Sequence, residues 1–201
     1  QGLAMPVSVN VGAMQLERAE FADKLKTALA EHAEVPASDL QLEILETSAL
    51  HDTAQVSDIM RRCQQLGVRF ALDDFGTGYA SLSYLKQLPA ETLKIDQSFV
   101  LHMLDGPNDR AIVRGIIGLA TAFGREVLAE GVETLAMGTE LLRLGCELAQ
   151  GYAIARPMSA WDVPRWVRAW EQDSPWCGHD GDAGESTAPT KADSLFGALG
   201  A

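Results

Sequence analysis

Basic residues are scarce in this chain: 16 lysines and arginines stand against 28 aspartates and glutamates, a formal net charge of −12. Polyphosphate grooves need a continuous basic face, so long nucleic acid is not an expected partner. A small phosphate ester bridged by divalent cations is compatible with the same charge. Cysteine is sparse as well. Cys63, Cys146 and Cys177 are too widely and oddly spaced for a disulfide framework or a zinc site, which leaves reduced thiols and a reducing cytoplasm as the expectation. The four histidines, His32, His51, His102 and His179, show no ligand spacing, so zinc is not expected. Long hydrophobic runs are missing too. The longest apolar stretch, 112–123, is broken by Arg114 and falls short of the roughly 20 residues of a spanning helix. No basic-then-apolar leader opens the chain, which starts at Gln1 rather than Met, as a processed product, an engineered fragment or an excerpt from a longer protein would.

What is present supports one globular domain: 201 residues, 47% hydrophobic and 22% charged, can bury a substantial core. Beyond Gln172 the composition shifts to Gly, Asp, Ser, Thr, Pro and Ala with little periodicity. Residues 1–172 are therefore read as the domain and 173–201 as an acidic, disordered tail. A short docking segment at SLFGALG (194–200) is the alternative for the tail.

Along the domain, apolar strand-like runs alternate with helical stripes. VSVNV precedes a helix over 16–32, LQLEILE one over 53–67, RFALDDFG a short one over 81–89, and TLKIDQSFV one over 108–124. EVLAEGV precedes a helix over 135–145 and LAQGYAIA one over 159–172. Gly67 suits a C-terminal cap, and Ser159 with Asp162 resembles a capping box with Pro164 in the first turn. Six such units at intervals of 20 to 35 residues predict α/β architecture with parallel strands joined by helical crossovers.

Each unit ends in polar residues where a parallel barrel places its chemistry, at the C-terminal ends of the strands. Asp73 and Asp74 are adjacent, and consecutive strand residues face opposite ways. Both can serve one pocket only if the strand ends between them and the chain turns, for which Gly76 and Gly78 in FGTG give the freedom; an acidic surface turn is the bland alternative. Lys94 and Asp96, two apart, face the same way and could form a structural ion pair. Glu43 and Glu46, three apart, face opposite ways. Oxygen donors of this kind suit a pair of hard cations, which activate a water and offset phosphoryl charge. Trp166 and Trp170 lie four apart on the last helix, placed either to pack on the barrel or to meet another subunit.

The run DDFGTGYASLSYLKQLPAETLKIDQSFV (73–100), with NVGAMQL, LEILE, AEGVET, QGY and ARPM, resembles the EAL domain family over about residues 7–158. Members of that family are TIM-barrel phosphodiesterases that linearise cyclic di-GMP to pGpG in bacterial signalling with Mg²⁺ or Mn²⁺. The resemblance implies metal-ligand roles for Asn10, Glu43, Asp73, Asp74 and Asp96. It also implies catalytic roles for Lys94 and Glu130, a pocket role for Gln150, and a loop-stabilising role for Glu46 with Gly76 and Gly78. Gln150 reads nearly as well as a glutamine bonded to backbone, and Glu133 as structural. Family members often dimerise near the DDFGTG loop and carry sensor or GGDEF domains upstream, sometimes with a membrane anchor.

The chain departs from the family pattern at Leu45, where Thr is usual, and at Gly12, where Ser is usual. No Glu-Ala-Leu motif precedes Asn10, and six units do not close an eight-stranded barrel of about 250 residues. The expectation is an incomplete TIM-type barrel, the C-terminal part of an EAL domain. A phosphodiesterase parent is one functional outcome, and a noncatalytic cyclic di-GMP receptor, inactive for want of the motif's glutamate, is the other.

Overall fold

A computed structural model describes residues 5–46, 53–78 and 82–176. Six strands, β1 (Val7–Asn10), β2 (Leu40–Leu45), β3 (Arg69–Phe75), β4 (Thr92–Ile95), β5 (Glu126–Ala129) and β6 (Leu148–Ala149), form one sheet in sequence order. Every neighbouring pair is parallel. The helices are α1 (Ala13–Leu16), α2 (Phe21–Glu31), α3 (Thr53–Gln64), α4 (Leu82–Gln87), α5 (Gln97–His102), α6 (Pro107–Ala122), α7 (Leu135–Leu144) and α8 (Val163–Asp173). Sequential parallel strands with helical crossovers make this an incomplete TIM-type barrel, with β1 and β6 as its two edges.

The period of two divides each strand between two environments. Leu42 and Ile44, Phe70 and Leu72, Leu93 and Ile95, and Val127 and Ala129 form the row that faces the helices, and all are buried. On β1 the same row, Val7 and Val9, is about half exposed. The opposite row is polar at its base. Ser8 Oγ donates to Gln41 Oε1 at 3.0 Å, Gln41 Nε2 to Thr92 Oγ1 at 3.1 Å, and Thr92 Oγ1 to Glu126 Oε2 at 3.4 Å. This chain of hydrogen bonds crosses the inner face of the sheet beneath the residues at the strand ends and gives Ser8, Gln41, Thr92 and Glu126 partners.

The helical stripes appear where the periodicity puts them, with three differences. The helix expected over 16–32 starts only at Phe21 as α2, and a separate short helix, α1, precedes it. A short helix, α5, follows β4 because the Asp96 carboxylate caps it, accepting from the Ser98 amide at 3.0 Å. The last helix begins at Val163 rather than Ser159: Ser159 Oγ donates to Asp162 Oδ2 at 2.8 Å, and Asp162, at the N-cap position, makes no side-chain cap bond.

Trp166 and Trp170 stack at 5.5 Å between ring centroids, and Trp170 meets Trp176 at 5.8 Å. The Trp176 indole lies over Gly138 of α7, in space that a β-carbon there would occupy. These tryptophans thus join α8 to α7, and Trp176 packs although it falls in the segment read as tail. Residues 177–201, including SLFGALG and Cys177, lie outside the described residues. Cys63 and Cys146 are free and buried, and burial pushes their thiols up to about 11 and about 12, as suits structural cysteines kept reduced.

Candidate active site

Lys94 is the hub of the strand ends. It projects from β4, its side chain only 4% exposed, and its Nζ lies 2.5 Å from Glu43 Oε2, 2.9 Å from Asp73 Oδ1 and 2.7 Å from Glu130 Oε1. Its partners come from β2, β3 and the end of β5 rather than from Asp96, the ion pair that spacing alone suggested. Burial opposes the ammonium charge, but the carboxylates of Glu130 and Glu43 outweigh it and hold Lys94 above its ordinary pKa. Lys94 is therefore a fixed cation among three carboxylates, a charge imbalance that favours a further cation.

Asp73 and Asp74 reach one pocket by a route different from the one expected. The strand does not end between them; β3 continues to Phe75, and its register to β4 shifts between Leu72 and Phe75. Asp74 sits at φ 54°, the left-handed region that aspartate tolerates better than most residues. This bulge turns both carboxylates to the same side. Oxygens of Asp73, Asp74 and Glu130 all lie within 4.8 Å of one another, a spacing at which hard divalent cations take oxygen ligands from several carboxylates.

The bulge is held from beneath by Glu46, which is 1% exposed. Its Oε2 accepts from the Gly76 amide at 2.8 Å, and its backbone carbonyl accepts from Tyr84 Oη of α4 at 2.8 Å. Gly76 adopts φ 102° and lies against Phe99 and Ile116, and a β-carbon at Gly78 would strike the Glu46 carboxylate. Loss of either glycine would therefore strain the loop through backbone conformation or collision. Tyr84 carried no sequence signal, since a tyrosine at that spacing on a short helix equally fits simple core packing.

The remaining expected residues occupy the same end of the sheet. Asn10 is the exposed last residue of β1, in register with Glu43. Asp96 caps α5 and lies near enough to Asp74 to raise the pKa of its carboxyl. Gln150 follows β6, half-buried, with its backbone N–H donating to Ala129 O at 2.8 Å. Leu45 continues the row of Glu43 beside Asp73 and is 44% exposed. Glu133 is exposed. Gly12 lies at φ −68° with open space around its β-carbon position, so a serine would fit there.

The carboxyls of this cluster hold protons more readily than free ones, and a cation bound there would compete with them. Burial raises the pKa of Asp74, with the Asp73 charge and the nearby Asp96 carboxyl adding to it. Burial also raises Glu130, against the opposing pull of Lys94. A carboxyl whose folded pKa lies above its unfolded value stabilises the fold when protonated, and that contribution is lost as pH rises through the folded pKa. A divalent cation replaces the proton and reverses the loss. The rise in melting temperature on adding Mn²⁺ is therefore expected to be larger at about pH 8 than near pH 5. A rise independent of pH would mean that these carboxylates are not the ligands.

The EAL domain profile matches residues 1–157. The cyclic di-GMP phosphodiesterase NbdA of Pseudomonas aeruginosa is 38% identical over 168 residues, covering 84% of this chain and 21% of NbdA. A solved PaMucR phosphodiesterase in complex with c-di-GMP superposes with a TM-score of 0.75 at 40% identity, covering 79% of this chain and 64% of that one. BlrP1 of Klebsiella pneumoniae, solved with manganese and cy-diGMP, gives a TM-score of 0.71 at 27% identity, over 77% of this chain and 39% of that one. The chain thus spans about a fifth of the length of NbdA. Among the described residues, no helix is long and apolar enough to cross a membrane. With the profile spanning most of its length and the acidic strand ends in place, this chain belongs to the EAL domain family.

Proposed function

We propose that the protein carrying this chain hydrolyses cyclic di-GMP to linear pGpG, adding one water across a P–O3′ bond. The observation that carries the reading is the convergence of Glu43, Asp73 and Glu130 on Lys94, with Asp74 completing an acidic cluster of cation-binding dimensions. Asn10, Glu43, Asp73, Asp74, Asp96 and Glu130 supply the oxygen donors that would hold two Mg²⁺ or Mn²⁺ ions. Bound there, such ions activate the water and neutralise phosphoryl charge. Lys94 Nζ orients and polarises the attacking water and opposes the negative charge that builds on the phosphoryl oxygens. Gln150 borders the pocket at the end of β6, and Glu46 keeps the Asp73–Asp74 bulge in position.

The same reading places the protein in the bacterial cytoplasm, with sensor or GGDEF domains preceding this segment and a homodimer contact near the DDFGTG loop. The test is chromatographic: the 201-residue chain is incubated with cyclic di-GMP and Mn²⁺, with a Lys94→Ala control. Product pGpG that depends on Lys94 supports the reading. Binding of cyclic di-GMP without product, in this chain and in the longer protein alike, would assign a receptor instead.

A further inference from the structure

We propose that a recess at the N-terminal ends of the strands, lined by Arg69 and Arg125, binds an oxyanion, a phosphate or carboxylate group. The site is independent of the phosphodiesterase reading, because it lies at the end of the sheet away from the carboxylates that meet Lys94.

Three neighbouring loops build the recess. Arg69 opens β3, Glu91 immediately precedes β4, and Arg125 immediately precedes β5. Parallel pairing sets these strand starts side by side, and backbone bonds join them, the Glu91 amide donating to Phe70 O at 3.0 Å and the Glu126 amide to Glu91 O at 2.9 Å. Between them lies a space of about 490 Å³, walled by Gln64, Pro89, Phe123 and Gly124 together with the two arginines. Each of β3, β4 and β5 is paired on both sides, so these loops stand away from β1 and β6, the open edges of the sheet.

Both arginines carry a buried N–H that meets no acceptor, Arg69 at Nε and Arg125 at Nη1. Buried donors in folded proteins nearly always have a partner. Among the described residues neither guanidinium forms an ion pair, and the Arg69 side chain makes no hydrogen bond. Arg125 is tied into the fold on its other side, Nη2 donating to Leu85 O at 2.5 Å and to Leu88 O at 2.7 Å. The carboxylates of the recess are already engaged. Glu91 accepts from the Phe70 amide at 2.8 Å and from Gln64 Nε2, and Glu126 Oε2 accepts from Thr92 Oγ1 at 3.4 Å. Burial lowers the pKa of Arg125 against the pull of the Glu91 charge, the state of a cation short of a counter-ion. A guanidinium presents a planar fork of donors that matches carboxylate and phosphate oxygens, and two of them line this one space. Phe123, 38% exposed, and Pro89 give it an apolar wall, and its volume suits the organic body of a small anion.

The test is an NMR titration of the 201-residue chain with inorganic phosphate, and separately with acetate, at constant ionic strength and without divalent cations. It follows the arginine Nε–H signals, that of Arg69 identified by its loss in Arg69→Gln. The signals of Arg69 and Arg125 are expected to shift together and to saturate, and the stronger of the two probes gives the chemistry of the anion. Arg69→Gln breaks no bond of the fold, so it removes the fork and leaves the scaffold. In it the Kd read from the Arg125 signal should weaken about tenfold to a hundredfold, with Arg69→Lys in between. No saturable shift with either anion, or an unchanged Kd in Arg69→Gln, overturns the site. Calorimetry with the same probe on the longer protein carrying this chain then separates two sources of the anion. Binding there assigns a free small molecule, and binding in the chain alone assigns an acidic side chain of the longer protein. Hydrolysis of cyclic di-GMP is tested separately, so failure here leaves the phosphodiesterase reading intact.

Discussion

Replacing Lys94 by alanine is expected to lower hydrolysis of cyclic di-GMP about 10²–10³-fold and, in the absence of divalent cations, to destabilise the fold. Three carboxylates lie within 2.9 Å of its ammonium, whose side chain is 4% exposed. Removing one partner of a buried ion cluster leaves uncompensated charge and costs about 3–5 kcal/mol, a large share of the roughly 5–15 kcal/mol by which domains are stable. Losing a preorganised electrostatic group at the reacting phosphate costs about 10²–10³ in turnover. The two effects separate by condition. Urea denaturation without metal should show the destabilisation, and added Mn²⁺ should restore part of it, because the cation takes over the neutralising role, while turnover stays low. A Lys94→Ala chain as stable as the parent without metal would show that the cluster is not held together by Lys94.

The second large effect is expected at Glu46. Glu46→Ala removes the acceptor of the Gly76 amide bond, made at 2.8 Å. Gly76 is exposed, so water takes over part of that bond and the loss stays below the roughly 1–3 kcal/mol of a buried unpaired amide. The greater consequence is geometric. Asp74 is held at φ 54° in a bulge that Gly76 follows directly after Phe75, so a slackened loop lets Asp73 and Asp74 drift, and a displacement near 1 Å costs about 10²-fold in rate. Mn²⁺ affinity and turnover should therefore fall together in Glu46→Ala. Glu46→Gln, whose amide oxygen still accepts, should lie between the alanine variant and the parent. Parent-like Mn²⁺ affinity in Glu46→Ala would place the ligands elsewhere.

Several features of the site were readable from the chain alone and others were not, and the difference lies in range. Gly76 and Gly78 signalled a turn after Asp73 and Asp74 because backbone freedom is a local property. The bulge with Asp74 in the left-handed region was not readable, since it depends on the pairing of β3 with β4 as well as on the loop. The spacing of Lys94 and Asp96 placed them on one face, yet Lys94 pairs with Glu43, Asp73 and Glu130. Asp96 turns instead to the Ser98 amide, because a helix N-terminus offers free amides immediately after it. Ser159 and Asp162 matched a capping pattern, but their side chains bond to each other, and the helix begins at Val163.

The order of strands and helices follows from the sequence itself, because burial on one face imposes a period of two on a strand and about 3.6 on a helix, and both periods are written in neighbouring residues. The family follows too, since its long motifs are contiguous. Only the tertiary structure decided which carboxylates share Lys94 and that Tyr84 anchors Glu46 beneath the Asp73–Asp74 bulge. Those contacts join residues from different units, and their geometry is set by the register of parallel strands, a long-range outcome of closing loops around a common core that no local pattern encodes.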